Sequence, residues 1–173
     1  MRRILAVVIA ATVLACAMAS DARVADGHLP ITRAVSGSAV HFFTTAMIHS
    51  QTPTETGMIQ RSTDIIELSG DLKGRVLYHP ISVFDFVNGT LVNTGNQVFS
   101  GTVLGSAPVL LHDSAFRFKV NLKSGGLEAG EVHLSDRIVG PKIRCDLVAT
   151  GSGAKTPEGN GLVDYSGTCT FKK

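Results

Sequence analysis

The chain has 173 residues, with 16 Lys+Arg against 14 Asp+Glu, 18 Gly, 3 Cys and no Trp; 44% of it is apolar and 17% charged. That length suits one domain, and the apolar share excludes wholesale disorder. Three Cys are too few for a disulfide-stapled miniature scaffold, and a formal charge of +2 gives no general case for nucleic-acid binding.

Arg2 and Arg3 precede a run of apolar or small residues over 4–15. The run falls short of the ~20 apolar residues that cross a bilayer comfortably. It ends in Ala17-Met18-Ala19, a small-x-small cleavage pattern, followed by polar Ser20 and Asp21. Residues 1–19 therefore read as a cleaved secretory signal peptide. Val13-Leu14-Ala15-Cys16 also resembles a bacterial lipobox, although Leu14 stands where such boxes prefer a small residue. Lipidation at Cys16 would tether the mature protein to a membrane. Cleavage after Ala19 would instead release it to the periplasm or medium. Cleavage also removes Arg2 and Arg3 and no acid, so the mature chain is balanced in charge and nothing steers it toward nucleic acid or an anionic membrane.

Residues 20–35 are polar and mixed and read as a lead-in to a domain over 36–173. From Ser36 onward, short β-rich runs alternate with Gly, Pro and Asn punctuation. Strands are expected over 39–49, 58–68, 75–79, 83–87, 97–104, 109–112, 115–122, 131–135, 143–150 and 161–171. No stretch after the signal keeps a 3.6-residue apolar period with caps. The expected fold is all-β and antiparallel. A closed barrel of about eight strands is the leading architecture, and a sandwich would also fit.

Period-two geometry puts Ile143, Cys145, Leu147 and Ala149 on one face, opposite Arg144, Asp146 and Thr150. It likewise groups Val163, Tyr165, Cys169 and Phe171, and sets Val132 and Leu134 against Glu131, His133 and Ser135. Once exported, Cys145 and Cys169 are an even pair in an oxidising compartment, and a disulfide between them is the natural expectation. Setting Cys145 opposite Cys169 in a hairpin also brings Leu147 to Gly167 and Ala149 to Tyr165. Metal ligation and a reactive thiol are the rival readings, but no Cys-x-x-Cys or suitably spaced His lies nearby.

The middle of the chain carries Ser69-Gly70-Asp71-Leu72-Lys73-Gly74, an Asn88-Gly89 turn, and Phe99-Ser100-Gly101-Thr102-Val103-Leu104-Gly105. A strand ending in Gly-Asp-Leu-x-Gly, then one bearing Phe-x-Gly-Thr-x-x-Gly, resembles the allene oxide cyclase-like and dirigent-like barrels over roughly residues 60–170. The resemblance implies an eight-stranded antiparallel barrel with an apolar lumen open at one end. Relatives of that shape hold hydrophobic small molecules, and some guide cyclisation by shaping the cavity. No catalytic motif transfers to this chain, and turns, bulges and barrel bends are a sufficient account of its glycines.

Candidate chemistry is sparse. Tyr78-His79-Pro80 sits at an expected strand end: Tyr78 could orient a ligand carbonyl or hydroxyl and His79 could move a proton, while Pro80 more simply marks a strand stop. Glu67, within Ile65-Ile66-Glu67-Leu68, would be a functional acid or base if it faced a dry lumen; the solvent side of the wall is the plainer account. The same choice applies to Glu131 with His133 and to Arg144 with Asp146. His112-Asp113 reads as a turn in which Asp113 bonds local backbone. Six histidines, His28, His41, His49, His79, His112 and His133, show no metal-ligand spacing. No Gly-x-Ser-x-Gly elbow or phosphate-cradling Gly loop appears, and no cofactor is implied. Asn88-Gly89-Thr90 fits a glycosylation sequon as well as a turn. Three functions stay open: an exported barrel binding a small hydrophobic ligand, an isomerase or cyclase tried first at Glu67, Tyr78 and His79, and a non-catalytic envelope module.

Overall fold

The computed structural model describes residues 29–172. The expected signal peptide over 1–19, Cys16 and the start of the lead-in lie outside these residues. The described chain is all-β. Its strands are β1 (Ile31–His41), β2 (Met47–Pro53), β3 (Gly57–Gly70), β4 (Leu72–Asp85), β5 (Thr90–Val103), β6 (Val109–Asp113), β7 (Arg117–Asn121), β8 (Leu127–Leu134), β9 (Asp136–Val139), β10 (Lys142–Gly151) and β11 (Gly161–Lys172), with one 3-10 turn at Phe43–Thr45.

These strands make eight staves of a closed antiparallel barrel, arranged in chain order as a meander. β3 pairs β4, β4 pairs β5, β5 pairs β7, β7 pairs β8, β8 pairs β10 and β10 pairs β11. β1 then closes the ring between β11 and β3. The remaining strands continue staves that are broken. β1 and β2 run along successive parts of β3, interrupted by the 3-10 turn. β7 and β6 share β5 in the same way, and β9 carries on beside β6 where β8 has left β7.

The alternation is realised as period-two geometry requires. Ile143, Cys145, Leu147 and Ala149 point inward and are buried, as are Tyr165 and Cys169. β10 and β11 pair with Cys145 opposite Cys169, Leu147 opposite Gly167 and Ala149 opposite Tyr165. Cys145 and Cys169 form a disulfide across that pair, and its presence is compatible with an exported, oxidising location.

Four expectations need correction. β1 begins at Ile31, inside the stretch read as lead-in, and Ile31 pairs with Phe171 at the far end of the domain. Its first residues are mostly exposed, which removed the alternation that would have marked them. The stretch 39–49 is one stave, but the Phe43–Thr45 turn splits it. Pro80 stops nothing: β4 runs through it unbroken from Leu72 to Asp85. Pro has no N–H to give, so the ladder to β3 lapses between Arg61 opposite Ile81 and Asp64 opposite Tyr78, while pairing to β5 continues through Pro80 opposite Gly95. β5 likewise starts at Thr90, well before the expected residue 97, because Gly95 is absorbed within the strand.

One end of the barrel is packed solid. Val35, Leu72, Val76, Phe99, Val103, Val109, Leu111, Ile143, Cys145 and Cys169 fill it. Tyr165 ties this end together. Its hydroxyl accepts the Leu72 N–H at 2.8 Å and faces the carbonyls of Ser69 at 3.0 Å and Leu72 at 3.2 Å as its own donor targets. Gly37 on β1 is what allows this, since a Cβ there would collide with the Tyr165 ring and the Ser69 carbonyl.

Tyr165→Phe is therefore expected to lower the urea midpoint by the equivalent of about 1–3 kcal/mol, because it strands buried partners. Reducing the Cys145–Cys169 disulfide, which spans a sequence separation of 24, is expected to cost about 3 kcal/mol on the same measurement. Midpoints that do not move in either experiment would contradict these roles.

Candidate functional site

The other half of the lumen is open and encloses a cavity of about 440 Å³. Its walls differ in chemistry, and the register explains why. On β3, Gln60, Ser62 and Asp64 alternate inward, while Arg61, Thr63 and Ile65 face the other way. Asp64 lies opposite Tyr78, and Tyr78 opposite Gln97. Two inward steps toward the mouth, past Ser62 and the Pro80–Gly95 pair, Gln60 lies opposite Ser82, and Ser82 opposite Asn93. These two rows make a polar belt across β3, β4 and β5. The rows on either side are apolar: Phe84 and Leu91 toward the mouth, Ile66, Val76 and Phe99 toward the packed end. The wall across the cavity is apolar too, formed by Phe118, Val120, Leu127, Val132, Leu147 and Val163. Gly130 beside Phe118 gives that ring its room, since a Cβ at Gly130 would strike it.

His41, at the end of β1, joins the belt. Its Nε2 lies 3.0 Å from Asp64 Oδ2. A carboxylate only accepts, so Nε2 carries the proton and donates. The His41 ring also stands edge-on to Tyr78 and Phe43, at centroid distances of 5.5 and 5.7 Å. Tyr78 in turn rests on Phe116 and Phe118. Aromatic contacts of this kind fix a ring's orientation as well as burying it.

Three polar atoms of the belt have no hydrogen-bond partner: Asp64 Oδ1, the Tyr78 hydroxyl and Asn93 Oδ1. Their residues are only 6%, 1% and 8% exposed. Burial pushes the Tyr78 phenol well above its ordinary pKa, and Asn93 beside the hydroxyl offsets part of that rise without making a well-formed hydrogen bond to it. The Asp64 carboxylate adds to the rise. Unmet buried polar groups are costly in a folded chain, and here three of them gather on one side of a cavity.

Deeper in the belt, polar groups are fully served. Gln97 Nε2 donates to Asp113 Oδ2 at 2.9 Å. Asp113 also accepts the backbone N–H groups of Ala115 at 2.7 Å and His133 at 2.8 Å. Asp113 thus bonds local backbone, as the sequence suggests, and also holds the break between β6 and β7 against β8.

Of the three residues singled out from the sequence, only Tyr78 faces the lumen. His79 lies on the outer wall, where its Nδ1 meets Thr63 Oγ1 at 2.9 Å. Glu67 is also outside, paired with Arg75 at 3.2 Å. The structure does not bring the three together, because residues 78 and 79 must point to opposite faces. Glu131, His133, Arg144 and Asp146 are outer-wall residues as well, and hydrogen bonding from His133 and then Arg144 holds the Asp146 carboxyl below its usual range. Asp64 and Asn93 escaped the sequence reading, and His41 enters it only among the histidines weighed as metal ligands. Both faces of 60–64 are polar or nearly so, so only the closed register shows which one is inside. Among the described residues no group of His, Cys, Asp and Glu is placed to hold a metal ion. No protein-family model, curated protein or solved structure matches the chain.

Because burial raises both tyrosines of the chain, the folded state holds their protons above pH 10.0, where the unfolded chain releases them. Stability should be fully present below that pH and fall as pH rises past it. In an absorbance titration the phenolate band should appear only together with loss of the β-sheet circular dichroism. Tyr78→Phe removes an unmet hydroxyl, so the unliganded protein should be unchanged or more stable by about 1 kcal/mol. A marked loss would mean that the hydroxyl has a structural partner.

Proposed function

We propose that this protein is an exported barrel that binds a small, mostly apolar molecule in the open half of its lumen. The observation that carries this reading is the two-sided cavity: a volume of about 440 Å³, apolar on one wall and polar on a narrow belt of the other. Ligand pockets of small molecules have this size and this mixture of apolar lining with a few convergent polar groups. A purely structural module gains nothing from leaving half of its core unfilled. Export is to the periplasm or the medium, by the pattern of residues 1–19, with anchoring through Cys16 as the variant form.

A second reading is favoured by one specific arrangement. His41 donates its Nε2 N–H to the buried Asp64, which leaves Nδ1 as the basic nitrogen of a ring that stands edge-on to Tyr78. An oriented imidazole beside a phenol donor is a set that can move a proton on a bound molecule. In that form the protein is an isomerase or cyclase of the allene oxide cyclase-like type, with positioning in the cavity supplying much of the rate. Glu67 and His79, on the outer wall, have no part in it.

The test is binding of an environment-sensitive apolar dye to the purified protein. Val163→Trp places a large ring in the cavity and should weaken dye binding about tenfold or more. Val148→Trp, on the exposed outer face of β10, should leave it unchanged. A dye that does not bind, or that binds both variants alike, would refute the proposal.

A further inference from the structure

The belt's unmet atoms say what the polar end of the ligand is. Two of the three are acceptors only, a carboxylate oxygen of Asp64 and the amide oxygen of Asn93. The third, the Tyr78 hydroxyl, can accept as well as donate. Asp64 is the only carboxylate lining the cavity among the described residues, and its other oxygen is already taken by His41. The rings of Phe43, Tyr78 and Phe118 complete the surroundings. The one lysine at the cavity, Lys155, is held over the Phe43 ring at 5.6 Å from its centroid, so its ammonium is engaged there and does not fill the belt.

We propose that the ligand is an apolar amine, bound in its protonated form with the ammonium group on Asp64, Asn93 and Tyr78. This inference rests on the lumen-binding reading and narrows it. A primary ammonium has three donors and no acceptor, which matches three unmet oxygens. An alcohol brings one proton to two atoms that can only accept. A carboxylate brings none and sets like charge against Asp64. The positive charge offsets the buried carboxylate, and the aromatic faces favour a cation over a neutral group. The apolar remainder of the molecule lies against Val120, Leu127 and Val163.

Three probes of one shape test this: naphthylmethylamine, naphthylmethanol and naphthoate. The chain has no Trp, so naphthalene fluorescence reports binding without indole background. The amine is expected to bind about tenfold or more tighter than the alcohol, with naphthoate weakest. Asp64→Asn should abolish the amine's advantage while leaving the alcohol within about threefold. Glu67→Gln, which removes a carboxylate from the outer wall, should leave that advantage intact. Tyr78→Phe involves no change of buried charge and should lower amine affinity several-fold, so the proposal stays testable if Asp64→Asn does not fold. Equal binding of amine and alcohol, or an amine advantage that survives in Asp64→Asn, overturns the inference. If the apolar dye binds and the amine shows no preference, the inference alone falls; if neither dye nor probe binds, the lumen-binding reading falls with it.

Discussion

Closure of the sheet onto itself is the constraint on which everything else depends. β1 is paired on both sides, to β11 along its whole length and to β3 over its last five residues. Closure satisfies the backbone of both terminal staves, which would otherwise be open edges. It also decides which side chains face the lumen, since a slip of one residue would turn the slipped stave inside out. The polar belt exists only because three adjacent staves hold one register.

The two halves of the lumen are built differently. At the packed end, large buried side chains meet one another, and the Tyr165 hydroxyl there is fully bonded. At the open end, small residues such as Ala39, Ala149 and Gly161 line the wall, and they cannot meet across the cylinder. Between the two lies a band where carboxylates are treated in opposite ways. Asp113 collects three donors and is spent on structure. Asp64 has one donor and keeps an oxygen unmet. That contrast separates a scaffold residue from a candidate ligand contact more clearly than burial does, because both residues are buried.

Much of the architecture was legible from the chain. The absence of a helical period and the alternation over 143–150 and 161–171 point to antiparallel β structure, and the inward face of each Cys follows from counting by twos. The disulfide and its hairpin register are the same inference carried one step further. The belt was not legible. Gln60, Ser62 and Asp64 alternate with Arg61 and Thr63, so hydropathy gives no inside. Pro80 looked like punctuation because a missing N–H usually ends a strand; here the gap falls on the β3 side only and is bridged by Thr63 and His79. Glu67 drew notice because it stands among apolar neighbours, yet Ile65 beside it is itself on the exposed outer wall. Tyr78 was noticed for its neighbours His79 and Pro80, whereas its importance comes from Asp64 and Asn93, which are distant in sequence from it and from each other.

The pairing of the first stave with the last sets an order of events during biogenesis. As the chain emerges from its N terminus, β1 finds β3 soon but has no partner on its other side until β11 appears. Until β11 is made the sheet stays an open, curling ribbon, and contacts of such long sequence separation form slowly. The crosslink between Cys145 and Cys169 joins β11 to β10 as a preformed hairpin, so the last step becomes the docking of one unit against a waiting edge. An oxidising compartment would thus hasten barrel completion as well as harden the finished wall.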